Sequence, residues 1–198
     1  MIKAVIFDLG GVIIDITPFI SEVNQVFQPV NKEAFWEKIN AETISLCKGD
    51  GRLIDFWKRL ADTMGKDIPH TVLKNLWIAQ NPWDFVNQDV YKIITVLQPV
   101  YKLAIISNTI QEHTKINRKK GLFTLFDVVI LSHEVKLTKH NTDIFVKAAK
   151  ALHVSPQKCI FIDDIPQFVG VAESVGMKGI LFKNAHQLES ALEEFHVL

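Results

Sequence analysis

A short apolar run that ends on an acidic residue constrains this chain more than any other stretch. Residues 4–7 are all apolar and include two β-branched side chains, a pattern typical of a strand buried on both faces of a sheet. Asp8 follows at once, and then Gly10 and Gly11, where the backbone can approach a ligand closely. A buried strand of this kind can end in a functional site or in a solvated turn, and the segment alone leaves both open.

Apolar runs alternate with helical patterns through the second half of the chain. Strands are predicted at 101–106, 126–131, 158–162 and 178–182, and helices at 89–97, 110–120, 143–152, 166–175 and from Asn184 onward. This alternation predicts an α/β protein with a parallel sheet and helices on both of its faces. In such sheets the ligand lies at the carboxyl ends of the strands.

Residues 17–87 have a different character. Their apolar residues recur at helical spacing without strand-like runs, and all four tryptophans of the chain lie among them. We predict three or four helices with an aromatic core. A turn at 49–51, Gly-Asp-Gly, is either a specificity loop facing the end of the sheet or a plain turn between helices. The predicted division is a core of 1–16 and 88–198 with a helical unit at 17–87.

Polar side chains follow several of the predicted strands. They are Asp8, the pair Ser107 and Asn108, the pair Asp163 and Asp164, and Lys139 in the loop after the strand at 126–131. Three neighbouring carboxylates repel one another unless a cation neutralises them, and with no His or Cys in the group Mg²⁺ fits best. The hydroxyl, the amide and the start of the following helix suit a phosphate. The alternative is a solvated rim or a network of ion pairs.

Four segments resemble the motifs of the haloacid dehalogenase superfamily, in the family's order. They are FDLGGV at 7–12, ISNT at 106–109, SHEVKLTKHNTDIF at 132–145 and FIDDIPQFVGVAESVGM at 161–177. The resemblance implies a Rossmann-like core, a helical cap at 17–87, and a Mg²⁺-dependent phosphatase acting through an aspartyl-phosphate.

The same resemblance assigns roles to single residues. Asp8 would be the nucleophile and Lys139 the lysine of the third motif, with Ser107 and Asn108 on the phosphate. Asp8, the backbone carbonyl of Gly10 and Asp164 would hold Mg²⁺, with Asp163 behind them. Gly10 and Gly11 are expected to bring the backbone close to the phosphate.

Three positions depart from the family pattern. Gly10 stands where most family phosphatases have a second aspartate, the general acid–base, whose contribution is typically roughly a hundred- to ten-thousand-fold. His140 replaces the proline after Lys139, and Phe168 stands where asparagine is common. Two other functions therefore stay open beside a phosphatase for a small phosphorylated metabolite, of which a sugar phosphate is one candidate. The chain could bind a phosphorylated ligand without turnover, or it could be a haloacid dehalogenase.

Composition limits the partners. Lys plus Arg and Asp plus Glu both count 22, so no net charge draws the chain to nucleic acid or to an anionic membrane. No apolar stretch is long enough for a membrane span. Cys47 and Cys159 have no metal-type spacing and are expected to be reduced thiols. We expect a soluble cytoplasmic protein, monomeric or homodimeric, whose partner is a small phosphorylated metabolite. We interpret His133, His140 and His153 as surface or loop residues, with substrate contact by His140 as the alternative.

Overall fold

A five-stranded parallel sheet organises the chain, and the computed structural model describes residues 1–78 and 81–198. The strands are β1 (Ala4–Phe7), β2 (Lys102–Ser107), β3 (Val128–Leu131), β4 (Cys159–Asp163) and β5 (Lys178–Leu181). Their order across the sheet is β3-β2-β1-β4-β5, and every pairing is parallel. The prediction of an α/β protein with a parallel sheet is confirmed. β1 lies at the centre, between β2 and β4.

Helices fill both the segment after β1 and the connections between the later strands. They are α1 (Thr17–Phe27), α2 (Lys32–Cys47), α3 (Leu53–Thr63), α4 (His70–Asn75), α5 (Gln88–Leu97), α6 (Gln111–Lys119), α7 (Ser132–Val135), α8 (Thr142–Ala151), α9 (Pro166–Ser174) and α10 (Ala185–Glu194). Short 3₁₀ turns cover Pro82–Phe85 and Pro156–Lys158. Gly121, at a φ of +72°, follows the end of α6, where a left-handed backbone commonly terminates a helix.

Both faces of the sheet are buried, which explains why its strands read as continuous apolar runs. Successive residues of a strand point to opposite faces. Val5 and Phe7 accordingly pack in a cluster with residues of α5 and α10, whereas Ala4 and Ile6 pack in a second cluster with residues of α8 and α9. With helices on each side, neither face needs polar residues.

A third apolar cluster lies mainly within α1–α4, also includes Ile110 before α6, and is rich in aromatic rings. The ring of Trp57 is fully buried there, 5.6 Å from that of Phe27 and 4.8 Å from that of Phe56, and Trp36 and Trp77 pack against the same cluster. The prediction of an aromatic core is wrong for the fourth tryptophan. Trp83 packs against the sheet core instead. Its Nε1 also donates a hydrogen bond to the carbonyl of Lys120 at 2.8 Å.

Two segments connect the sheet with the four helices α1–α4, and they run side by side. Ile14 forms bridges with both Gly10 and Val86. The amide of Asp15 donates to the carbonyl of Phe85, and the amide of Asn87 to the carbonyl of Ile13, both at 2.8 Å. The outgoing and returning segments thus form a short two-stranded ribbon, named here the connecting ribbon.

Candidate active site

Polar residues of the site lie where the three central strands end. Asp8 follows β1 directly, and its backbone amide donates to the carbonyl of Ile162 in β4 at 2.9 Å. Ser107 and Asp163 are the last residues of β2 and β4, the two neighbours of β1. The parallel register therefore collects these side chains at one edge of the sheet, and all three are buried.

Lys139 joins two of the carboxylates. Its ammonium nitrogen lies 2.8 Å from Asp8 Oδ1 and 2.6 Å from Asp163 Oδ2, and the residue is only 2% exposed. The loop that carries it is fixed by Asn108, whose Oδ1 accepts from the backbone N–H of Lys139 at 2.9 Å. Asn108 thus uses its carbonyl oxygen to place the lysine, which leaves its amide nitrogen for other contacts.

The two consecutive aspartates differ in how their oxygens are used. Asp163 accepts from the ammonium group of Lys139 and, through Oδ1, from the backbone N–H of Ile165 at 2.8 Å. Asp164 Oδ1 is also buried but has no hydrogen-bond partner. Buried acceptors are nearly always satisfied, so an unpartnered carboxylate oxygen needs an explanation.

Mg²⁺ fits this group of residues. One oxygen from each of Asp8, Asp163 and Asp164 lies within 4.8 Å of the others. Carboxylate oxygens are the ligands that Mg²⁺ prefers, and a cation would supply the partner that Asp164 Oδ1 lacks. Gly11 leaves room for this arrangement, because a Cβ added there would lie 2.3 Å from Asp164 Oδ2.

Burial shifts the proton affinities at the site. Burial raises the pKa of Asp8 to about 7 from its ordinary value of 3.8, although the ammonium group of Lys139 pulls it down. The pKa of Asp164 is also raised, by burial and by the neighbouring charge of Asp163. Burial lowers the pKa of Lys139, but Asp8 and Asp163 outweigh it and hold it above its usual range. A divalent cation between the carboxylates would favour their ionised forms.

The glycines of the first motif lie at different places. Gly10 lines the cavity above Asp8, and a Cβ added to it would approach Ile16 Cγ2 at 3.3 Å. Gly11 lies behind Asp164, with a φ of +86°, and its N–H donates to the carbonyl of Ile14 at 2.8 Å. The amide of Gly11 therefore closes the turn, and its missing side chain makes space for Asp164.

Phe168 stacks on the lysine of the site, Lys139. The ammonium nitrogen of Lys139 lies 4.8 Å from the centre of the Phe168 ring, a cation–π distance. The ring of His140 meets Phe168 edge-on, with the centroids 4.9 Å apart. Two departures from the family pattern thus pack against each other and against the lysine that the pattern keeps.

Ser132 is a further residue of the site that sequence reasoning did not select. Its fully buried hydroxyl accepts from the backbone N–H of Thr109 at 3.0 Å, and donates to the carbonyl of Thr109 at 3.2 Å. This side chain ties the loop after β2 to the end of β3. The signal was present, because Ser132 follows an apolar strand as Asp8 does.

A cavity of about 550 Å³ opens above these residues, between the end of the sheet and the helices α1, α2 and α6. Its wall includes the site residues Asp8, Gly10, Ser107, Asn108 and Lys139, together with His140 and Phe168. The turn at 49–51 does not belong to the wall. It packs on the segment around α7, since a Cβ added to Gly49 would lie 2.7 Å from Lys136 Nζ.

Of the two cysteines, Cys47 lies in the cavity wall and Cys159 in the buried core of the sheet. His113 and Trp77, which the sequence did not single out, also lie in the wall. Among the residues described, no helix is long and apolar enough to cross a membrane.

A family model for haloacid dehalogenase-like hydrolases matches residues 2–176. The chain belongs to this family. A D-ribitol-5-phosphate phosphatase from Bacteroides thetaiotaomicron is 27% identical to it over 195 residues, which cover 90% of each chain. A phosphorylated carbohydrates phosphatase from Thermotoga maritima is 24% identical, over 90% of this chain and 83% of that protein.

Solved structures of haloacid dehalogenase-like hydrolases share the fold. One is a family enzyme from Bacteroides thetaiotaomicron in complex with magnesium and inorganic phosphate, with a TM-score of 0.71, 24% identity, and coverage of 93% of this chain and 96% of that one. Another is an L-2-haloacid dehalogenase from Xanthobacter autotrophicus with chloropropionic acid covalently bound, with a TM-score of 0.66, 23% identity, and coverage of 100% and 85%. Since the fold carries both reactions, the site itself has to decide between them.

Proposed function

We propose that this protein is a Mg²⁺-dependent phosphatase that hydrolyses a small phosphorylated metabolite through an aspartyl-phosphate on Asp8. The observation that carries the proposal is the group of three carboxylates with one lysine, in which Asp8, Asp163 and Lys139 are buried and the half-buried Asp164 keeps an unpartnered oxygen. The phosphatase relatives support the reaction class, and their phosphorylated sugars and polyols are the first substrates to test.

Each residue has a role in this proposal. Asp8 is the nucleophile, and Lys139 keeps its carboxylate in place and offsets charge on the phosphoryl group. Ser107 and Asn108 bind phosphoryl oxygens at the end of β2. Mg²⁺, held by Asp8, Asp164 and the carbonyl of Gly10, would neutralise negative charge on the phosphoryl oxygens. Asp163 is the supporting residue, since its oxygens already accept from Lys139 and from Ile165 N–H.

The reaction has two balanced steps. A carboxylate oxygen of Asp8 attacks phosphorus, the bond from phosphorus to the ester oxygen breaks, and the leaving oxygen takes up a proton. Water then attacks the phosphoryl group, the bond to Asp8 breaks, and inorganic phosphate leaves with the carboxylate restored. Gly10 has no side chain to donate the first proton. The donor is therefore an acid from the helices or from the substrate, unless the leaving group is good enough to need none.

We also propose the division into a catalytic core of 1–16 and 88–198 and a helical cap of 17–87. It is supported by the apolar cluster of α1–α4, in which Ile110 is a contributor from the core, and by the connecting ribbon as the covalent link. The cavity then lies between the two units. A cytoplasmic location and a monomeric or homodimeric state belong to the same proposal.

Because Gly10 has no side chain to act as a general acid–base, it favours a second candidate function, in which the protein binds a phosphorylated ligand without turnover. The unpartnered, buried oxygen of Asp164 argues against the third, because hydrolytic dehalogenation uses the same nucleophile without a metal. Chloride release that resists a chelator would restore the dehalogenase reading.

The experiment is phosphate release from an aryl phosphate and from a panel of sugar phosphates, with Mg²⁺ and with a chelator. Wild type is compared with Asp8→Asn, Gly10→Asp and the control Asp62→Asn, which changes an exposed aspartate of α3. We expect release that needs Mg²⁺, is lost in Asp8→Asn and is unchanged in Asp62→Asn. Turnover that survives in Asp8→Asn would exclude Asp8 as the nucleophile. Saturable phosphate binding without release, in wild type and in Gly10→Asp, would favour the binding protein.

A further inference from the structure

The cavity has a charged end and an apolar end. The charged end is the group around Asp8 and Lys139. The remaining wall is mainly apolar and carries Ile14, Ile16, Phe19, Ile44, Trp77 and Ile116, which come from the connecting ribbon, from α1, α2 and α6, and from the segment after α4. Its further uncharged polar side chains include those of Asn40, Thr43, Asn117 and Gln167. A phosphate held beside Asp8 would therefore direct the rest of its ester against this apolar wall.

Fixed charge in the wall is confined to the charged end. Among the described wall residues, Asp8 and Lys139 are the Asp, Glu, Lys or Arg side chains present, and they pair with each other at 2.8 Å. The two residues outside the described ranges, Ala79 and Gln80, are uncharged by their sequence. No second arginine or lysine of the described wall is free to meet a further anionic group.

The titratable groups at the apolar end also favour their neutral forms. Burial raises the pKa of the Cys47 thiol to about 11, so that it stays protonated at neutral pH. Burial lowers the pKa of His113, against the opposing effects of the Trp77 carbonyl and of Glu112. His140 is the remaining histidine of the wall, and it lies at the exposed side of the site.

The tautomer of His113 follows from its partner. His113 Nε2 lies 2.7 Å from the carbonyl oxygen of Trp77, which can only accept, so Nε2 carries the proton. The neutral ring then has Nδ1 as an acceptor. Trp77 is held in the left-handed region, with a φ of +65°, and its indole meets the imidazole ring edge-on. The apolar end thus includes a neutral histidine, whose Nδ1 is an acceptor, and among the described wall residues it has no Lys or Arg.

From this arrangement we infer the substrate class: a phosphate monoester of an uncharged alcohol with a mainly apolar body, such as an aromatic or branched aliphatic group. The inference rests on the proposed phosphatase function and narrows it. A second phosphate or a carboxylate would be buried without a cation, which is strongly unfavourable. A polyol would leave part of its hydroxyl groups against the apolar side chains that make up most of the wall, where they lose their hydrogen bonds to water.

The test compares three phosphate esters of primary alcohols: benzyl phosphate, 4-carboxybenzyl phosphate and ribitol 5-phosphate. In all three esters the leaving group is a primary alcohol of similar acidity. Differences in kcat/KM therefore report how well the cavity wall accommodates the alcohol part of each ester. We expect benzyl phosphate to exceed each of the others by about tenfold or more. Equal or faster turnover of the carboxylated ester or of the polyol ester would overturn the inference, while the phosphatase function would stand.

Failure of the proposed function gives a different result. If none of the three esters releases phosphate with Mg²⁺, binding is measured instead, as the rise in melting temperature with benzylphosphonate and with 4-carboxybenzylphosphonate. A larger rise with the uncharged compound would support the inference for a protein without turnover. Equal shifts, a larger shift with the carboxylated compound, or no shift with either would overturn it.

A charge placed in the wall sharpens the test. Ile44→Lys puts an ammonium group on α2 at the apolar end, and Ile44→Met is the uncharged control of similar size. We expect the lysine variant to raise the ratio of 4-carboxybenzyl to benzyl turnover about tenfold or more, and the methionine variant to keep the wild-type ratio. A folded lysine variant with an unchanged ratio would overturn the inference. If circular dichroism shows that it does not fold, Ile116→Lys on α6 makes the same test.

Discussion

The two ends of the cavity are built in opposite ways. At the sheet, a few polar groups fix one another over distances of 2.6–2.9 Å, and Lys139 is bonded at both its ammonium and its backbone nitrogen. At the helices, the wall is mainly apolar, and side chains such as Ile44 and Ile116 are only partly buried. The comparison teaches that the hydrogen bonds and ion pairs at the sheet end fix its polar groups to one geometry. The described part of the helical wall has few such bonds between its side chains, so a substitution there should change the shape of the cavity without disturbing the group around Asp8.

The largest effect should follow from removing the charge at the centre of the sheet end. Lys139→Met leaves two buried carboxylates without their cation, a change that typically costs about 3–5 kcal/mol of unfolding free energy. Activity should fall by at least about a hundredfold, since a charge-stabilising group is lost. Urea unfolding and phosphate release measure the two effects. Lys136→Met, at an exposed lysine, is the control and should change neither.

The next largest effect should be the pH dependence of the unfolding free energy that Asp8 causes at the sheet end. In chelator, the Asp8 pKa of about 7 means that the native state binds more protons than the unfolded state, whose pKa is near 3.8. The protonated carboxyl of Asp8 therefore contributes to the unfolding free energy. This contribution is complete below about pH 4 and is lost as the pH rises to about 7, at about 1.4 kcal/mol per pKa unit. The difference between wild type and Asp8→Asn in urea unfolding should therefore shift by a few kcal/mol across this window. A flat difference would contradict the raised pKa.

Mg²⁺ should reverse the direction of that dependence. Because the cation binds ionised carboxylates, it should raise the melting temperature more at pH 8 than at pH 5. An equal rise at both pH values would place the binding elsewhere. Ile44→Met, at the apolar end, should leave the pH 8 and pH 5 responses as in wild type.

A smaller, local effect is expected at Gly11. Gly11→Ala combines a left-handed backbone with a Cβ that would overlap Asp164, at a cost of about 1–3 kcal/mol, and it should weaken Mg²⁺ binding by displacing that carboxylate. Gly65→Ala is a matched control, since Gly65 has a φ of +63° and nothing within 4 Å of an added Cβ. The control should lose stability without losing affinity for Mg²⁺ in a titration calorimeter. Equal Mg²⁺ affinities in the two variants would show that Gly11 does not shape the site.

The smallest effect should come from the ring beneath Lys139. Phe168→Leu keeps an apolar side chain and removes the cation–π contact, at about 0.5–2 kcal/mol beyond the packing loss. Phe182→Leu gives the packing loss alone, because Phe182 is as buried as Phe168, at 8% against 7% exposed. Unfolding free energies of the two variants should differ by that margin. Equal losses of unfolding free energy in the two variants would show that Phe168 contributes packing alone and no cation–π contact.

The sheet end was predictable because its rules are local. Buried parallel strands are continuous apolar runs, so each strand could be found from its own residues and the polar residue after it assigned to the same edge. Boundaries moved by one or two residues for visible reasons. The strand predicted at 126–131 starts at Val128, because the carboxylate of Asp127 accepts from the amide of Leu103 at 2.8 Å. The roles of the site residues and the domain division stay predictions.

The helical end was less predictable because its contacts join distant parts of the chain. His113 meets the carbonyl of Trp77 across 36 residues, and no spacing rule connects them. The four-residue helix α7 is too short to carry a periodic signal. Trp83 is an aromatic residue of the helical segment and was expected in its aromatic core. It lies in the short 3₁₀ turn Pro82–Phe85 and packs against the sheet core instead. Residues of this kind are placed by tertiary packing, which a sequence pattern does not contain.

The connecting ribbon limits how the cavity can open. Two independent linkers would let α1–α4 swing and twist in several directions, whereas backbone hydrogen bonds between the two segments join them into one strip. A strip of two strands bends far more easily across its flat face than within its plane, so rotation of the four helices is reduced to a hinge about one axis. Ile14 lies in this strip and also in the cavity wall. An opening of this kind would therefore widen the mouth and keep one wall residue beside the strand that leads to Asp8.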